Sequence, residues 1–440
     1  MQGIALALEW VAWRLPMSLL NAQISRLRTM FAALKGNARP LALFNICWTI
    51  PNFFAAVYMG PFLVEQGLTE IQIGSLATAG NAAMMVGALC GGWMADRFGR
   101  LRTIMFVDAV AWPAAFALYA FGTGYWAFLA ASVLVGLVIL LNPAWISLYL
   151  RGAKRTDRPY LFGFLQVIWC CGGIIAAFSG LLVRTWGVSV TCRWVFFGAM
   201  ILTAVAVWVR KLFLHDPTPV REKMQPSVAE FGHIMAGHLY AARMMLRRRE
   251  LLIFLIIQIL IQSIISIGAT FNNLYFIDKR GVAIPAEALA LLPIFSGLTV
   301  IAASFVIVPF ITPASVMGFL ILGTTLLSVQ IYLFLLAPAG SLGVLIGGVM
   351  TGGFGWALFN PALSGTWANL ISDRDRPRLV AFSNVVVFGL AMIGPTVGGV
   401  LYTVHPRGPL VLNLGLYGVL MACILWAALH GLRRRKTQYQ

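Results

Sequence analysis

The chain has 440 residues, of which 60% are hydrophobic and 10% are charged, and its mean hydropathy is +0.86. A soluble protein of this composition would expose too much hydrocarbon to water, so the composition excludes an ordinary soluble domain and predicts an integral membrane protein. The net charge of +18 would suggest nucleic-acid binding in a soluble protein, but here its meaning depends on where the basic residues lie.

The six cysteines form no Cys-x-x-Cys pair and lie mostly within apolar runs. This placement is typical of small core residues, and we expect no disulfide, no metal site and no other cofactor. The sequence contains no nucleotide-binding loop or nucleophile elbow, so we expect that the protein is not an enzyme.

Residues 1–40 carry apolar side chains at alternating spacings of four and three, which places them on one stripe of a helix. The stripe contains Leu6, Trp10, Trp13, Met17, Leu20, Ile24, Leu27, Phe31 and Leu34. We interpret the segment as an amphipathic cytoplasmic helix that lies on the anionic leaflet of the membrane. A helix that binds a partner protein, or a partly disordered leader, remains open.

Twelve apolar runs follow, each long enough to cross about 30 Å of hydrocarbon as a helix. They lie near 41–65, 71–95, 103–122, 125–150, 160–184, 190–210, 251–277, 287–312, 315–337, 341–369, 379–403 and 409–431. The sequence therefore predicts an all-α membrane protein with twelve transmembrane helices.

The longest interruption divides these runs into an amino-terminal six-helix bundle at 41–210 and a carboxyl-terminal six-helix bundle at 251–431. The interruption itself, residues 211–250, contains a capping-box pattern at 227–230 that predicts an amphipathic helix in a cytoplasmic loop. A basic cytoplasmic tail follows at 432–440.

The basic residues predict the orientation of the chain in the membrane. With an even number of spans both termini lie on one side, and 27 of the 32 basic residues fall on that side. The other five are Arg184, Arg193, Lys279, Arg280 and Arg407. The positive-inside rule then places both termini in the cytoplasm and explains the net charge without nucleic acid.

The two bundles are predicted to be repeats of one unit. The tripeptide at 142–144, Asn-Pro-Ala, recurs 218 positions later at 360–362. The tripeptide at 157–159, Asp-Arg-Pro, recurs at the same offset at 375–377. Internal duplication accounts for this spacing and predicts pseudo-symmetric halves, with proline bends at equivalent points of spans 4 and 10.

A short charged segment, residues 92–102, joins the second and third runs. Both of its glycines have a predicted mechanical role, because Gly92 would let two helices approach closely and Gly99 would permit a tight reversal of the chain. Its charged residues are Asp96, Arg97, Arg100 and Arg102. The alternative interpretation is an ordinary turn in water, which would be charged for that reason alone.

The chain resembles the major facilitator superfamily of secondary transporters over residues 41–431. The resemblance rests on its twelve predicted spans, its predicted cytoplasmic termini, its related halves and this charged segment. The segment matches the family signature between spans 2 and 3, which is Gly, three residues, Asp-Arg, one residue, Gly-Arg; the matching residues are Gly92, Asp96, Arg97, Gly99 and Arg100. Leu101 stands where a second basic residue is common in the family. The resemblance implies two bundles that rock about a central solute, with spans 1, 2, 4, 5, 7, 8, 10 and 11 lining the cavity.

Several residues are predicted to control conformation. Asp96 and its neighbouring arginines would latch the outward-open state by pairing with the other half; the residues expected there are Asp373, Asp375 and Arg376. Gly394-Pro395 in span 11 is similar to the glycine–proline pattern that antiporters of the family carry in span 5, although a packing kink explains it as well.

Asp108 is the acidic residue that falls clearly inside a predicted span. A charge at that depth is costly, so Asp108 is either a protonatable site coupled to transport or a structural partner of the arginines in the charged segment.

The predicted solute site consists of neutral amides with aromatic neighbours. The candidate cavity residues are Asn45, Asn52, Tyr58, Asn142, Gln166, Gln258, Gln262, Asn272, Asn273, Asn360 and Asn384. Amides can hydrogen-bond a solute without the cost of burying charge, although each could instead join two helices.

The sequence thus predicts a monomeric, multi-pass protein of the inner or plasma membrane that contacts membrane lipids and moves a small neutral or amphipathic organic solute by alternating access. Export is the predicted direction of transport, and the proton is the expected coupling ion. A lipid or lipid-precursor flippase on the same fold, or a non-transporting receptor or assembly factor, stays open as an alternative.

Overall fold

The computed structural model of the protein describes residues 31–32, 34–153, 158–216, 228–307, 315–371 and 375–438. Among these residues, eleven helices are long and apolar enough to cross a membrane, and Leu161–Ile175 is a shorter apolar helix. The predicted all-α fold is confirmed, and each of the twelve predicted runs coincides with helical chain within these described ranges.

The first six spans form the amino half. Their bounds are Ala38–Glu65 for span 1, Glu70–Phe98 for span 2, Arg100–Phe121 for span 3, Gly124–Leu137 with Asn142–Tyr149 for span 4, Arg158–Ala176 with the start of Ser179–Lys211 for span 5, and the rest of Ser179–Lys211 for span 6. Spans 5 and 6 divide at Gly187, whose φ of +75° is a left-handed value that a residue with a side chain rarely adopts.

The last six spans form the carboxyl half. Their bounds are Arg249–Ile277 for span 7, Leu292–Ile307 for span 8 after a 3-10 turn at Ala286–Leu291, Val316–Leu336 for span 9, Leu342–Leu370 for span 10, Arg376–Ala391 with Ile393–Val404 for span 11, and Gly408–Gln438 for span 12. The helix of the central loop, Val228–Arg247, packs Ala241 and Met245 against the carboxyl half.

Because the number of spans is even, the start of span 1 and the end of span 12 lie on one face of the bundle, which we call the terminal face; the opposite face is the far face. Large apolar side chains are exposed around the outside of the bundle, including Trp126, Phe178, Trp194 and Trp208. Such exposure suits a surface that lies in lipid rather than in water.

The two halves touch through pseudo-equivalent pairs of spans near the far face. At Gly399 of span 11, a Cβ would lie 2.7 Å from the Glu70 carbonyl oxygen of span 2. At Gly180 of span 5, a Cβ would lie 2.8 Å from the Glu287 carbonyl oxygen, just before span 8. Small residues allow backbones to approach this closely, so each half presents a glycine to the start of a span in the other half.

The predicted proline bends differ between the halves. Span 4 is broken by a 3-10 turn at Val138–Leu141, and a new helix begins at Asn142 with Pro143 in its first turn, where the missing N–H costs nothing. Span 10 continues as one helix through Pro361. The same tripeptide therefore starts a helix in one half and lies inside a helix in the other, and bends at equivalent points stay a prediction.

The segment predicted as an amphipathic helix at 1–40 lies mostly outside the described residues. Span 1 begins at Ala38, three residues earlier than predicted, and the ring of Phe31 packs edge-on against Phe164 of span 5 with centroids 5.1 Å apart.

Candidate functional site

A cavity of about 520 Å³ lies between the two halves, and we call it the central cavity. Spans 1 and 5 line it from the amino half, and spans 7, 8, 9, 10 and 12 line it from the carboxyl half. Its polar side chains are Asn272, Asn273, Ser296, Gln330 and Asn413. No charged residue is among the described residues that line this cavity.

Hydrogen bonds fix several of these amides. The amide nitrogen of Asn273 donates to the Ala56 carbonyl at 2.9 Å and so joins the two halves. The amide nitrogen of Asn413 donates to the Ile264 carbonyl at 3.3 Å, while its side-chain oxygen is buried with no hydrogen-bond partner. The two donated hydrogen bonds hold these amides against backbone carbonyls of spans 1 and 7.

Aromatic rings form much of the remaining wall of the central cavity. They are Phe53, Trp169, Phe276, Phe334, Trp356 and Tyr417. A set of neutral amides among aromatic rings can hold an uncharged solute, with hydrogen bonds fixing its orientation and the rings covering its apolar face.

A second cavity of about 280 Å³ lies entirely within the amino half, and we call it the amino-half cavity. It is lined by spans 1, 3, 4, 5 and 6, and its polar residues include Asn45, Asn52 and Asn142. The buried ion pair of Asp108 and Arg210 forms part of its wall.

Phe53 and Trp169 line both cavities and separate them. Their rings meet edge-on with centroids 5.8 Å apart. Gly173 leaves room for the Phe53 ring in this arrangement, because a Cβ at residue 173 would lie 3.3 Å from that ring. The single cavity expected from the sequence is therefore two cavities that share an aromatic partition.

Five of the predicted cavity residues line one or the other cavity: Asn45, Asn52 and Asn142 the smaller one, and Asn272 and Asn273 the central one. The side chain of Gln166 lies outside what the structure describes. The predicted lining has to be corrected at Tyr58, Gln258, Gln262, Asn360 and Asn384, which line neither cavity.

For three of these five residues the structure shows where the side chain lies instead. Tyr58 is fully buried in the apolar core of the amino half, beside Phe54. Gln258 accepts a hydrogen bond from the Ser383 hydroxyl at 2.5 Å and so joins spans 7 and 11 of one half. Asn360 is exposed on span 10.

Sequence reasoning missed Gln330, Asn413 and Arg210, which lie on spans 9, 12 and 6. These spans were not assigned to the cavity. The side-chain amide of Gln330 packs against Gly352. A Cβ at residue 352 would overlap this amide, so the arrangement requires a glycine.

Asp108 pairs with Arg210 of span 6, so the prediction that its partner is an arginine of the charged segment is corrected. The side chains of both residues are almost fully buried, at 4% and 3% exposure. The guanidinium of Arg210 also stacks over the Trp48 ring, with its carbon 4.6 Å from the ring centroid. Span 6 packs beside span 3 at the terminal face, which explains why this arginine is the one within reach.

The charged segment lies at the terminal face between spans 2 and 3. Gly99 has φ +85° and ends span 2, as expected for a tight reversal. At Gly92, however, a Cβ would meet nothing within 4 Å, so its expected role in close helix approach is wrong. That role belongs to Gly91, where a Cβ would lie 2.7 Å from the Leu140 carbonyl oxygen.

The charged side chains expected to form a latch lie near the ends of spans. Asp96 and Arg102 are exposed, and Arg100 opens span 3. Asp375 and Arg376 lie at the start of span 11, while Asp373 lies outside the described residues. The latch stays a prediction.

Span 11 breaks at Met392, two residues before Gly394, which places Gly394-Pro395 beside the contact between the halves. The hydroxyl of Thr78 in span 2 donates to the Met392 carbonyl at 2.6 Å and lies 2.7 Å from the Thr396 hydroxyl. Pro395 has no N–H to bond the carbonyl of Ala391 four residues earlier, which explains why span 11 is interrupted here. Thr78 of the other half therefore contacts span 11 at its break.

A charged cluster, which we call the far-face cluster, joins the halves beside this contact. Arg280 makes ion pairs with Glu70 at 3.4 Å and with Asp278 at 3.2 Å, and the Tyr402 hydroxyl donates to Asp278 at 2.9 Å. Partial burial raises the pKa of Asp278, but the hydrogen bonds from Arg280 and Tyr402 outweigh burial and hold that pKa below its usual value.

Apolar helices long enough to cross a membrane, arranged in two related halves around a cavity whose described lining carries no charge, define a membrane transporter fold. Residues 41–316 match the family model of the Major Facilitator Superfamily, and the chain belongs to this superfamily. The family consists of transporters rather than enzymes, in agreement with the expectation from the sequence.

Individual relatives support the same family. The Minor myo-inositol transporter IolF of Bacillus subtilis (strain 168) is 25% identical over 167 residues, which is 37% of this chain and 37% of that protein. The chain thus matches little more than a third of that relative's length.

Solved structures share the fold at low identity. The crystal structure of the nucleoside transporter NupG has a TM-score of 0.67 at 15% identity, covering 89% of this chain and 98% of that chain. A POT family transporter in complex with 5-aminolevulinic acid has a TM-score of 0.65 at 14% identity, covering 92% and 95%.

Proposed function

We propose that this protein is a secondary active transporter that moves a small, uncharged organic solute across the membrane by alternating access through the central cavity. The observation that carries the proposal is the lining of that cavity by neutral amides and aromatic rings, without a charged residue among the described ones. A strongly ionic solute would lose its hydration there without gaining a charged partner.

The lining favours a solute with several hydroxyl or carbonyl groups and one flat or apolar face. Polyols and nucleosides have this chemistry, and the relatives named above include a myo-inositol transporter and a nucleoside transporter. A cavity of about 520 Å³ lies within the range of about 300–1,000 Å³ that small-molecule sites occupy.

The proton is the coupling ion that we propose, and Asp108 its candidate carrier. Asp108 is the one acidic side chain buried within a span among the described residues. If it carries the proton, Asp108→Asn abolishes transport that is driven by a pH gradient while solute exchange without a gradient continues. Unchanged gradient-driven transport in a folded variant would remove Asp108 from this role.

The membrane is proposed to be the inner or plasma membrane, with both termini in the cytoplasm, on the strength of the distribution of basic residues. Export of the solute is the proposed direction, from the Gly394-Pro395 pattern in span 11. Right-side-out and inside-out vesicles loaded with the same solute gradient distinguish export from uptake.

The test of the solute site compares two asparagines of equal chemistry. Asn272→Leu removes an amide from the central cavity, and Asn360→Leu removes one from the exposed surface of span 10. Loss of one or two hydrogen bonds to the solute predicts roughly tenfold weaker transport for Asn272→Leu and no change for Asn360→Leu. Equal rates in both variants, with a panel of polyols and nucleosides in proteoliposomes, would contradict the proposed site.

A further inference from the structure

The helix of the central loop, Val228–Arg247, lies against the carboxyl half, and we call it the loop helix. Its inner side carries Ala241 and Met245, which are buried among residues of spans 7, 10 and 11. The ring of His238 lies beside that of Phe382, with ring centroids 6.3 Å apart. Phe382 is in the second turn of span 11, so the loop helix lies beside the first turns of that span at the terminal face.

The carboxyl end of the loop helix reaches the level of the membrane surface. The helix ends at Arg247 and span 7 begins at Arg249. Arg248 alone separates them, with an extended backbone at φ −105° and ψ 102°. Span 7 is apolar from Leu251 onward and enters the hydrocarbon there. The last turns of the loop helix therefore lie at the depth of the lipid headgroups.

One side of the loop helix carries an exposed apolar stripe. Met235, Leu239 and Leu246 follow one another at spacings of four and seven residues, which places them on one side of a helix. Their exposed fractions are 37%, 56% and 68%. Apolar side chains exposed at the depth of the headgroups suit contact with acyl chains, as in helices that lie along a membrane surface.

Two exposed arginines border this stripe. Arg243 follows Leu239 by four residues and precedes Leu246 by three, so it lies next to both. Arg247 lies one turn further along the helix. Residues 228–250 contain four arginines and two glutamates, which gives this part of the chain a net positive charge. Long arginine side chains can reach from an apolar surface to the phosphates of the headgroup layer.

The combination of an apolar stripe and basic side chains selects the partner. An anionic phospholipid supplies both an acyl chain for the stripe and a phosphate for the arginines. The terminal face is predicted to lie at the cytoplasmic leaflet, whose negative potential attracts basic segments. An acidic protein would also satisfy the arginines, but at this depth it would have to displace lipid from the stripe.

We propose that the loop helix binds an anionic phospholipid, whose phosphate contacts Arg243 and Arg247 and whose acyl chain lies along Met235, Leu239 and Leu246. The bound lipid ties the loop helix, and through it the carboxyl half, to the leaflet at the terminal face. These five residues do not line the central cavity, so the proposal stands apart from the proposed function.

Fluorescence quenching by labelled lipids tests the proposal on the full-length protein in phosphatidylcholine vesicles. A fluorophore is attached to Met235→Cys in a variant without native cysteines; if that variant does not fold, Leu239→Cys reports from the same stripe. The quencher is phosphatidylglycerol or phosphatidylcholine with a nitroxide at the top of its acyl chain. Both lipids quench the fluorophore, and phosphatidylglycerol does so at a mole fraction that is lower by roughly fivefold or more, the factor expected for one basic side chain near an anionic surface.

Charge-removing variants identify the arginines that hold the headgroup. Arg243→Gln with Arg247→Gln removes most of the preference for phosphatidylglycerol and leaves quenching by phosphatidylcholine unchanged. Lys279→Gln with Arg407→Gln is the matched control, because it removes two exposed positive charges from the far face and keeps the preference.

Each alternative occupant has its own result, and each result overturns the proposal. Equal quenching by the two lipids means that the loop helix touches lipid without selecting an anionic headgroup. Absence of quenching by either lipid means that the stripe faces water and is open to a partner protein. Loss of the preference on addition of free glycerol phosphate, at unchanged ionic strength, means that the arginines bind a soluble phosphate rather than a lipid.

Discussion

The ion pair of Asp108 and Arg210 lies where spans 3 and 6 meet, and both side chains are almost fully buried. Removing one member leaves the other charge without a partner in a region that water cannot reach. We expect Arg210→Met to cost about 3–5 kcal/mol of folding stability, seen as a lower Tm in detergent. The double variant Asp108→Asn with Arg210→Met should recover most of that loss, and equal Tm values for the single and double variants would contradict the pairing.

Individual site residues were only partly predictable from the sequence. Asn272 lines the central cavity, as expected for a span that faces the centre in this family, whereas Asn45 lines the amino-half cavity instead. Tyr58 lines neither cavity, and this could not be predicted, since the spans of a membrane protein are apolar all round and their sequence does not say which face points inward. Arg210 was taken as one of many basic residues at the terminal face, and only the packing of span 6 on span 3 brings it to Asp108.

At the scale of elements, the glycine contacts near the far face decide how closely the halves approach. Gly180 faces Glu287 and Gly399 faces Glu70 at distances that leave no room for a side chain. We therefore expect Gly399→Ala to separate the halves at the far face. Spin labels at the exposed positions Thr123 and Ala339, in a variant without native cysteines, would report a longer average distance.

Gly343→Ala is the control for that substitution. Gly343 lies in span 10, where a Cβ would meet nothing within 4 Å, so the distance between the labels should not change. An unchanged distance in Gly399→Ala as well would mean that the contact between spans 2 and 11 does not hold the far face closed.

The far-face cluster makes the same contact sensitive to pH, because Asp278 and Tyr402 of the carboxyl half position Arg280, which pairs with Glu70 of the amino half. The pKa of Asp278 lies below its ordinary value of 3.8, so its bonds to Arg280 and Tyr402 are complete above about pH 4 and are lost as the pH falls through the lowered pKa. Tyr402→Phe removes one donor and moves the pKa back toward its ordinary value. The label distance in that variant should begin to increase at a higher pH than in the wild type, and identical pH profiles would contradict the role of the cluster.

At the scale of the whole molecule, the architecture was largely predictable from hydropathy and charge. Runs of about 20 apolar residues have to be helical in lipid, so the spans and the division at the central loop follow from the sequence alone. The different settings of the two prolines in spans 4 and 10 could not be predicted from the repeated tripeptide, because a proline can open a new helix as well as kink an existing one. The separation of one expected cavity into two depends on side-chain packing at Phe53 and Trp169, which no sequence pattern records.

The predicted orientation of the whole molecule can be measured directly. A cysteine at Lys279, which is exposed in the loop after span 7, should react with a membrane-impermeant maleimide added outside intact cells. A cysteine at the exposed Arg151, after span 4, should react only after the membrane is opened. The reverse pattern of labelling would contradict the positive-inside assignment of the termini.

The central claim is that a neutral solute crosses the membrane through the central cavity, and counterflow in proteoliposomes tests it most directly. Vesicles preloaded with an unlabelled polyol or nucleoside should accumulate the labelled form without any ion gradient, and Asn272→Leu should slow this accumulation roughly tenfold. Carboxylates and phosphates of similar size should not exchange. Exchange of those anions, or counterflow of a neutral solute at the same rate in Asn272→Leu, would contradict the account.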